Sequence, residues 1–98
     1  MTIAKELNGT TLTIALEGRL DANAAPELSK ELQGGLDGVT ELYFDLVNLD
    51  YISSAGLRAL LTARKTMKGK GKMALRHVSP QIMDILEVTG FTDVLNIE

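Results

Sequence analysis

Two adjacent hydroxyls, Ser53 and Ser54, stand where an apolar run gives way to helical spacing. A serine at such a junction has two chemistries open to it. Its oxygen can accept a bond from a backbone N–H that has no partner inside the helix, or an exposed hydroxyl can be esterified by a kinase and gain about −1.5 to −2 charges. A lone serine at a helix start is most simply a cap. Here one hydroxyl suffices for that task, and the small residues Ala55 and Gly56 leave the other accessible. Gly56 carries its own signal, because glycine inside a helix costs roughly 1 kcal/mol relative to alanine. Close approach by a partner, or by the chain itself, would account for it.

Other chemistries find less support. His77 is the only histidine and cysteine is absent, so a multi-histidine or thiolate metal site cannot be assembled and no metal is expected. Ser54, His77 and an aspartate could be written as a triad, but no Gly-x-Ser-x-Gly turn surrounds either serine. His77 is read instead as a surface histidine at a strand end. Asp21, Asp45 and Asp50 fall near turns or strand ends, where capping and solvation are their usual tasks. Lys65, Lys68, Lys70 and Lys72 interleave with Gly69 and Gly71, but the order of a phosphate-binding loop is missing, so this is a solvated turn. No enzyme activity and no cofactor are expected. A net charge of −3 and only two Tyr and two Phe argue against nucleic acid.

The elements that must position the serine pair follow from periodicity. Leu42, Tyr43, Phe44, Leu46 and Val47 form a buried strand interrupted by Asp45, with its last residues reaching the surface. Leu57, Leu60 and Leu61 lie at i, i+3 and i+4, which predicts a helix beginning near Ser53 or Ser54. Function would gather at the carboxyl end of the strand. Upstream, Ile3–Leu7 is a weak strand, Asn8-Gly9 a hairpin turn, and Leu12, Ile14 and Leu16 one face of a second, antiparallel strand. Asp21 precedes the next helix, where Pro26 suits the first turn and Leu28, Leu32 and Leu36 form the stripe, with Gly34, Gly35 and Gly38 at its exit. Met73, Leu75 and Val78 predict a fourth strand. Ser79-Pro80 opens a helix with Ile82, Ile85 and Leu86 inward, and Gly90 closes it with a left-handed cap. Val94, Leu95 and Ile97 are a last short strand or an extended tail. Alternating strands and helices after an opening hairpin give an α/β chain with a mixed sheet of four to five strands, the later ones parallel.

With 98 residues there is room for one domain, spanning 1–98. No apolar run approaches the roughly 20 residues needed to cross a bilayer, and MTIAKEL does not open as a signal peptide. A cytoplasmic location without membrane association is the expectation.

Tyr51-Ile52-Ser53-Ser54-Ala55-Gly56-Leu57 resembles the signature of the anti-sigma factor antagonists, small bacterial STAS domains. Gly18-Arg19-Leu20-Asp21 is similar to the family's turn after the second strand, Asp45-Leu46 to its third strand end, and Val88-Thr89-Gly90-Phe91 to its last helix exit. The resemblance implies the STAS fold and places the family's phosphoacceptor on Ser54. Ser53 stands where the family has an aspartate, and Ala55 where it has a second hydroxyl residue. It further implies a partner surface of Asp21, Ser53, Ala55, Gly56 and Arg58. The implied partners are an anti-sigma factor serine kinase of ATPase-type fold, bound by the unphosphorylated form so that a sigma factor is released, and a serine phosphatase for reactivation. A monomer is expected. The alternative is a constitutive STAS subunit of a transporter or sensory assembly, with no turnover of phosphate.

Overall fold

The computed structural model describes residues 1–98 as four strands, three α-helices and a short 3-10 turn at Phe91–Asp93. Strands β1 (Thr2–Asn8) and β2 (Thr11–Leu20) are joined at Asn8-Gly9, and the φ of +63° at Gly9 supplies the left-handed step that such a turn requires. They pair antiparallel from Thr2↔Glu17 to Asn8↔Thr11. The chain then crosses by α1 (Ala25–Leu32) to β3 (Glu41–Ile52), and by α2 (Ser54–Met67) to β4 (Lys72–Arg76). Both crossovers join parallel neighbours, giving the order β1-β2-β3-β4. Strands that advance in one direction through crossovers of one hand put their helices on one side of the sheet.

The core confirms that placement. Leu12, Ile14 and Leu16 on β2 lie beside Leu42, Phe44 and Leu46 on β3 and Leu75 on β4, all buried. Leu28 and Leu32 of α1, Leu57, Leu60 and Met67 of α2, and Ile82 and Leu86 of α3 (Pro80–Val88) join the same cluster. The opposite face carries Thr11, Thr13 and Ala15 beside Glu41, Tyr43 and Asp45, then Lys72, Ala74 and Arg76. No helix covers it. No helix is long and apolar enough to cross a membrane.

The structure departs from the periodic expectation at three places. Strand β3 does not end with the apolar run at Val47 but continues to Ile52, because β2 runs beside it as far as Leu20 through two register shifts. Helix α1 stops at Leu32, although Leu36 continues its stripe. Gly34, at φ +73°, turns the chain, and Leu36 is buried from the loop. Strand β4 ends at Arg76, before Val78. The carboxyl-terminal segment contributes an extended tail with a single parallel bridge, Leu75↔Ile97, rather than a fifth strand. Ser79 caps α3 by accepting from Ile82 N–H, and Gly90 takes φ +79° at its exit.

Candidate functional site

The serine pair sits at the end of the central parallel pair of strands. Leu20 and Ile52, the last residues of β2 and β3, are register partners. Ser53 follows in extended conformation, and its backbone N–H donates to the carbonyl of Leu20 at 2.9 Å. Its hydroxyl also donates to that carbonyl, at 3.1 Å, and accepts from the N–H of Gly56 at 3.1 Å. Ser53 is therefore the cap of α2 and at the same time a clasp on β2. The carbonyl of Ser53 accepts the first intrahelical bond, from Leu57.

Ser54 is the first residue inside α2 and is exposed. Its hydroxyl makes no hydrogen bond, unlike its neighbour's. The first turn of α2 contains no carboxylate, so the partial positive charge of the helix start is not offset at this point.

Gly56 is buried against Leu20. A Cβ at this position would lie 2.7 Å from Leu20 Cγ and 2.8 Å from the Leu20 carbonyl oxygen. The chain itself makes the close approach that the glycine signals. Gly56 was expected on the partner surface, but it offers a visitor no accessible side. It sets how tightly the start of α2 lies on β2.

Asp21 follows Leu20, so the strand that holds Ser53 delivers this carboxylate to the same end of the sheet. Its Oδ1 accepts from the N–H groups of Asn23 and Ala24 at 3.0 and 2.9 Å, and its carbonyl accepts from Ala25 at 2.9 Å. Its local role is an Asx turn that starts α1. Arg19 and Tyr51, also register partners, stack with the guanidinium 4.3 Å from the ring centroid. Sequence reading missed this pair, since only the register across the bulged strands brings the two together.

Between α1 and α2 runs a shallow groove of about 510 Å³, lined by Ala22, Pro26, Lys30, Ala55 and Arg58 among others. Ala55 is half-buried on its wall and Arg58 is exposed. Ala55 and Arg58 thus join Ser54 on accessible surface, with Ser53 half-buried behind them. A second groove of about 510 Å³, at the far end of α2 beside Lys68, Lys72 and Asn96, shares no residue with the serine pair.

Asp45 does not belong to this site. It pairs with Ala15 and Arg76 in the sheet, and the strand from Asp45 to Ile52 spans roughly 23 Å. Its Oδ1 accepts from Val47 N–H at 3.1 Å and lies 2.9 Å from His77 Nδ1. Partial burial pushes this carboxyl up. The hydrogen bonds from His77 and Val47 and the nearby charges of His77 and Arg76 outweigh that push and hold it below the usual carboxylate range. His77, at φ +56° just past β4, is the exposed strand-end residue that its sequence context suggests, and its partner is Asp45 rather than Ser54.

The sequence model of the STAS domain family matches residues 2–98. The chain belongs to the STAS family. BtrV of Bordetella bronchiseptica, assigned as an anti-sigma factor antagonist, is 35% identical over 85 residues that cover 85% of this STAS domain and 73% of BtrV. The anti-sigma-B factor antagonist of Staphylococcus aureus is 29% identical over 86 residues, covering 86% and 80%. Unphosphorylated SpoIIAA, an anti-sigma factor antagonist, superposes with a TM-score of 0.85 over 99% of this chain and 88% of its own, at 19% identity. The fold and the family expected from the sequence both stand, and the similarity groups this STAS domain with the anti-sigma factor antagonists.

Proposed function

We propose that this STAS domain is a phosphorylation-controlled antagonist of an anti-sigma factor, with Ser54 as its phosphoacceptor. The unmodified protein binds an anti-sigma factor of ATPase-type fold and thereby frees a sigma factor. That anti-sigma factor is also the serine kinase. The Ser54 oxygen attacks the γ-phosphorus of ATP, the bond from that phosphorus to the β,γ-bridging oxygen breaks so that ADP leaves, and the hydroxyl proton passes to solvent. A serine phosphatase returns the domain to its binding form. The role is protein binding, carried out by a cytoplasmic monomer without a cofactor.

One observation carries this assignment. Of the two hydroxyls, Ser53 makes two hydrogen bonds within the fold, whereas Ser54 is exposed and makes none. Only the second can enter another protein's active site without dismantling a cap. Ser53, Ala55 and Arg58 flank it along the chain, and Asp21 leaves β2 at the same end of the sheet. A phosphate at the first position of a helix is compatible with the helix dipole and with orphan N–H groups. The switch is therefore local: bulk and charge at the docking surface weaken the complex while the fold persists.

The test is incubation with ATP and the kinase, followed by fragment mass spectrometry. Phosphate on Ser54 supports the assignment, and phosphate on Ser53 overturns it. The transporter-subunit alternative draws on fold likeness alone, as in a sulfate transporter family protein from Wolinella succinogenes at 18% identity and a TM-score of 0.79.

A further inference from the structure

The protein is acidic as a whole, with 13 carboxylate and 10 cationic side chains. The stretch from Ser54 to Gly71 inverts that balance. It carries Arg58, Arg64, Lys65, Lys68 and Lys70 and not one Asp or Glu. Lys70 is engaged with the carbonyl of Leu36 at 2.6 Å. The other arginines outside this stretch are occupied too, Arg19 on Tyr51 and Arg76 on Glu98 and Tyr43. Arg58 is exposed, forms no ion pair, and stands four residues after Ser54 on α2.

Residues at i and i+4 of a helix are surface neighbours, with Cβ atoms about 5–6 Å apart. Long helical side chains also lean toward the helix amino terminus, which sends a guanidinium at 58 toward 54. We propose that Arg58 is the built-in counter-ion of phosphorylated Ser54, its planar fork closing on the phosphate oxygens. The proposal rests on Ser54 as the modified residue and adds what happens to the surface afterwards. Phosphorylation not only places an anion at the helix start but also withdraws the one free cation of the first two turns from any carboxylate a partner could bring. Arg58 shares α2 with position 54. Lys30 of α1 lines the same groove as Arg58, and Asp21 starts the β2–α1 turn, its carboxylate already accepting two backbone N–H groups.

The test uses the full chain with phosphoserine installed at position 54 by synthesis, so it does not depend on which residue a kinase selects. The second ionisation of the phosphate, ordinarily near pH 6, is followed by phosphorus NMR. A neighbouring cation favours the dianion, so Arg58→Gln raises that midpoint by about 0.2 to 0.4 unit. Arg58→Lys raises it by less, and Arg64→Gln leaves it unchanged. In the parent protein the Arg58 Nε–Hε resonance moves on dephosphorylation. An unchanged midpoint in Arg58→Gln overturns the proposal, as does a shift produced by Lys30→Gln in its place. Failure of the phosphoacceptor assignment is registered separately, by fragment mass spectrometry of enzymatically phosphorylated protein.

Discussion

The Ser53 hydroxyl donates to the Leu20 carbonyl at 3.1 Å and accepts from the Gly56 N–H at the same distance. Two adjacent residues of one type therefore have separable roles, one internal to the fold and one on its surface. Loss of a capping hydroxyl typically costs about 1 kcal/mol, and a second bond adds to it. Ser53→Ala should lower unfolding free energy by about 1 to 2 kcal/mol. Ser54→Ala, which removes no bond, should stay within about 0.5 kcal/mol of the parent. Urea denaturation of the two variants side by side checks both values, and equal losses would contradict the division of roles.

Gly56→Ala sets two effects against each other. Helix propensity favours alanine by about 1 kcal/mol, while its Cβ would meet the Leu20 backbone oxygen at 2.8 Å and Leu20 Cγ at 2.7 Å. The oxygen belongs to a central strand and already holds Ser53, so it cannot yield cheaply. Overpacking of about 1 to 3 kcal/mol should prevail, giving a net loss of roughly 1 kcal/mol in the same denaturation experiment.

Acid should act through Asp45. Its carboxyl is held below the ordinary value of 3.8, so its contribution to stability is complete above that value and disappears as pH falls through the lower folded-state value. Asp45→Asn should be less stable than the parent at pH 5 and above, by at most about 1 kcal/mol for so exposed a pair. The difference should shrink as pH falls below that ordinary value of 3.8 and through the lower folded-state value. Denaturation midpoints measured across that range would show a constant gap if the carboxylate charge were irrelevant.

Docking should respond to charge at position 54. Ser54→Asp and the phosphorylated protein should bind the anti-sigma factor kinase at least tenfold more weakly than Ser54→Ala, as measured by titration calorimetry. Equal affinities would mean that an anion at the start of α2 does not exclude the partner. Circular dichroism of the phosphorylated protein should remain that of the parent, because the helix start tolerates the anion.

The hairpin at Asn8-Gly9, the inward face of Leu12, Ile14 and Leu16, the cap at Ser79 and the left-handed Gly90 were all legible in local spacing. The serine junction was legible for the same reason, since apolar spacing changes its period there. What periodicity misses is the partner strand. Strand β3 continues through Val47, Asn48 and Asp50 because β2 supports it across two register shifts, and no local pattern announces that support. The same extension separates Asp45 from the serines and brings Arg19 onto Tyr51. Gly56 was a correct signal of close approach whose object, Leu20, lies 36 positions earlier in the chain.

The capping arrangement at Ser53 has a consequence for lineages of this protein. Position 53 answers to the fold, so any residue found there must keep the end of β2 and the beginning of α2 joined, whatever the regulatory circuit. Position 54 is exposed and makes no hydrogen bond, so the fold places no such demand on it. If the proposed modification of Ser54 were lost from a genome, drift should reach the second serine first and leave the first in place.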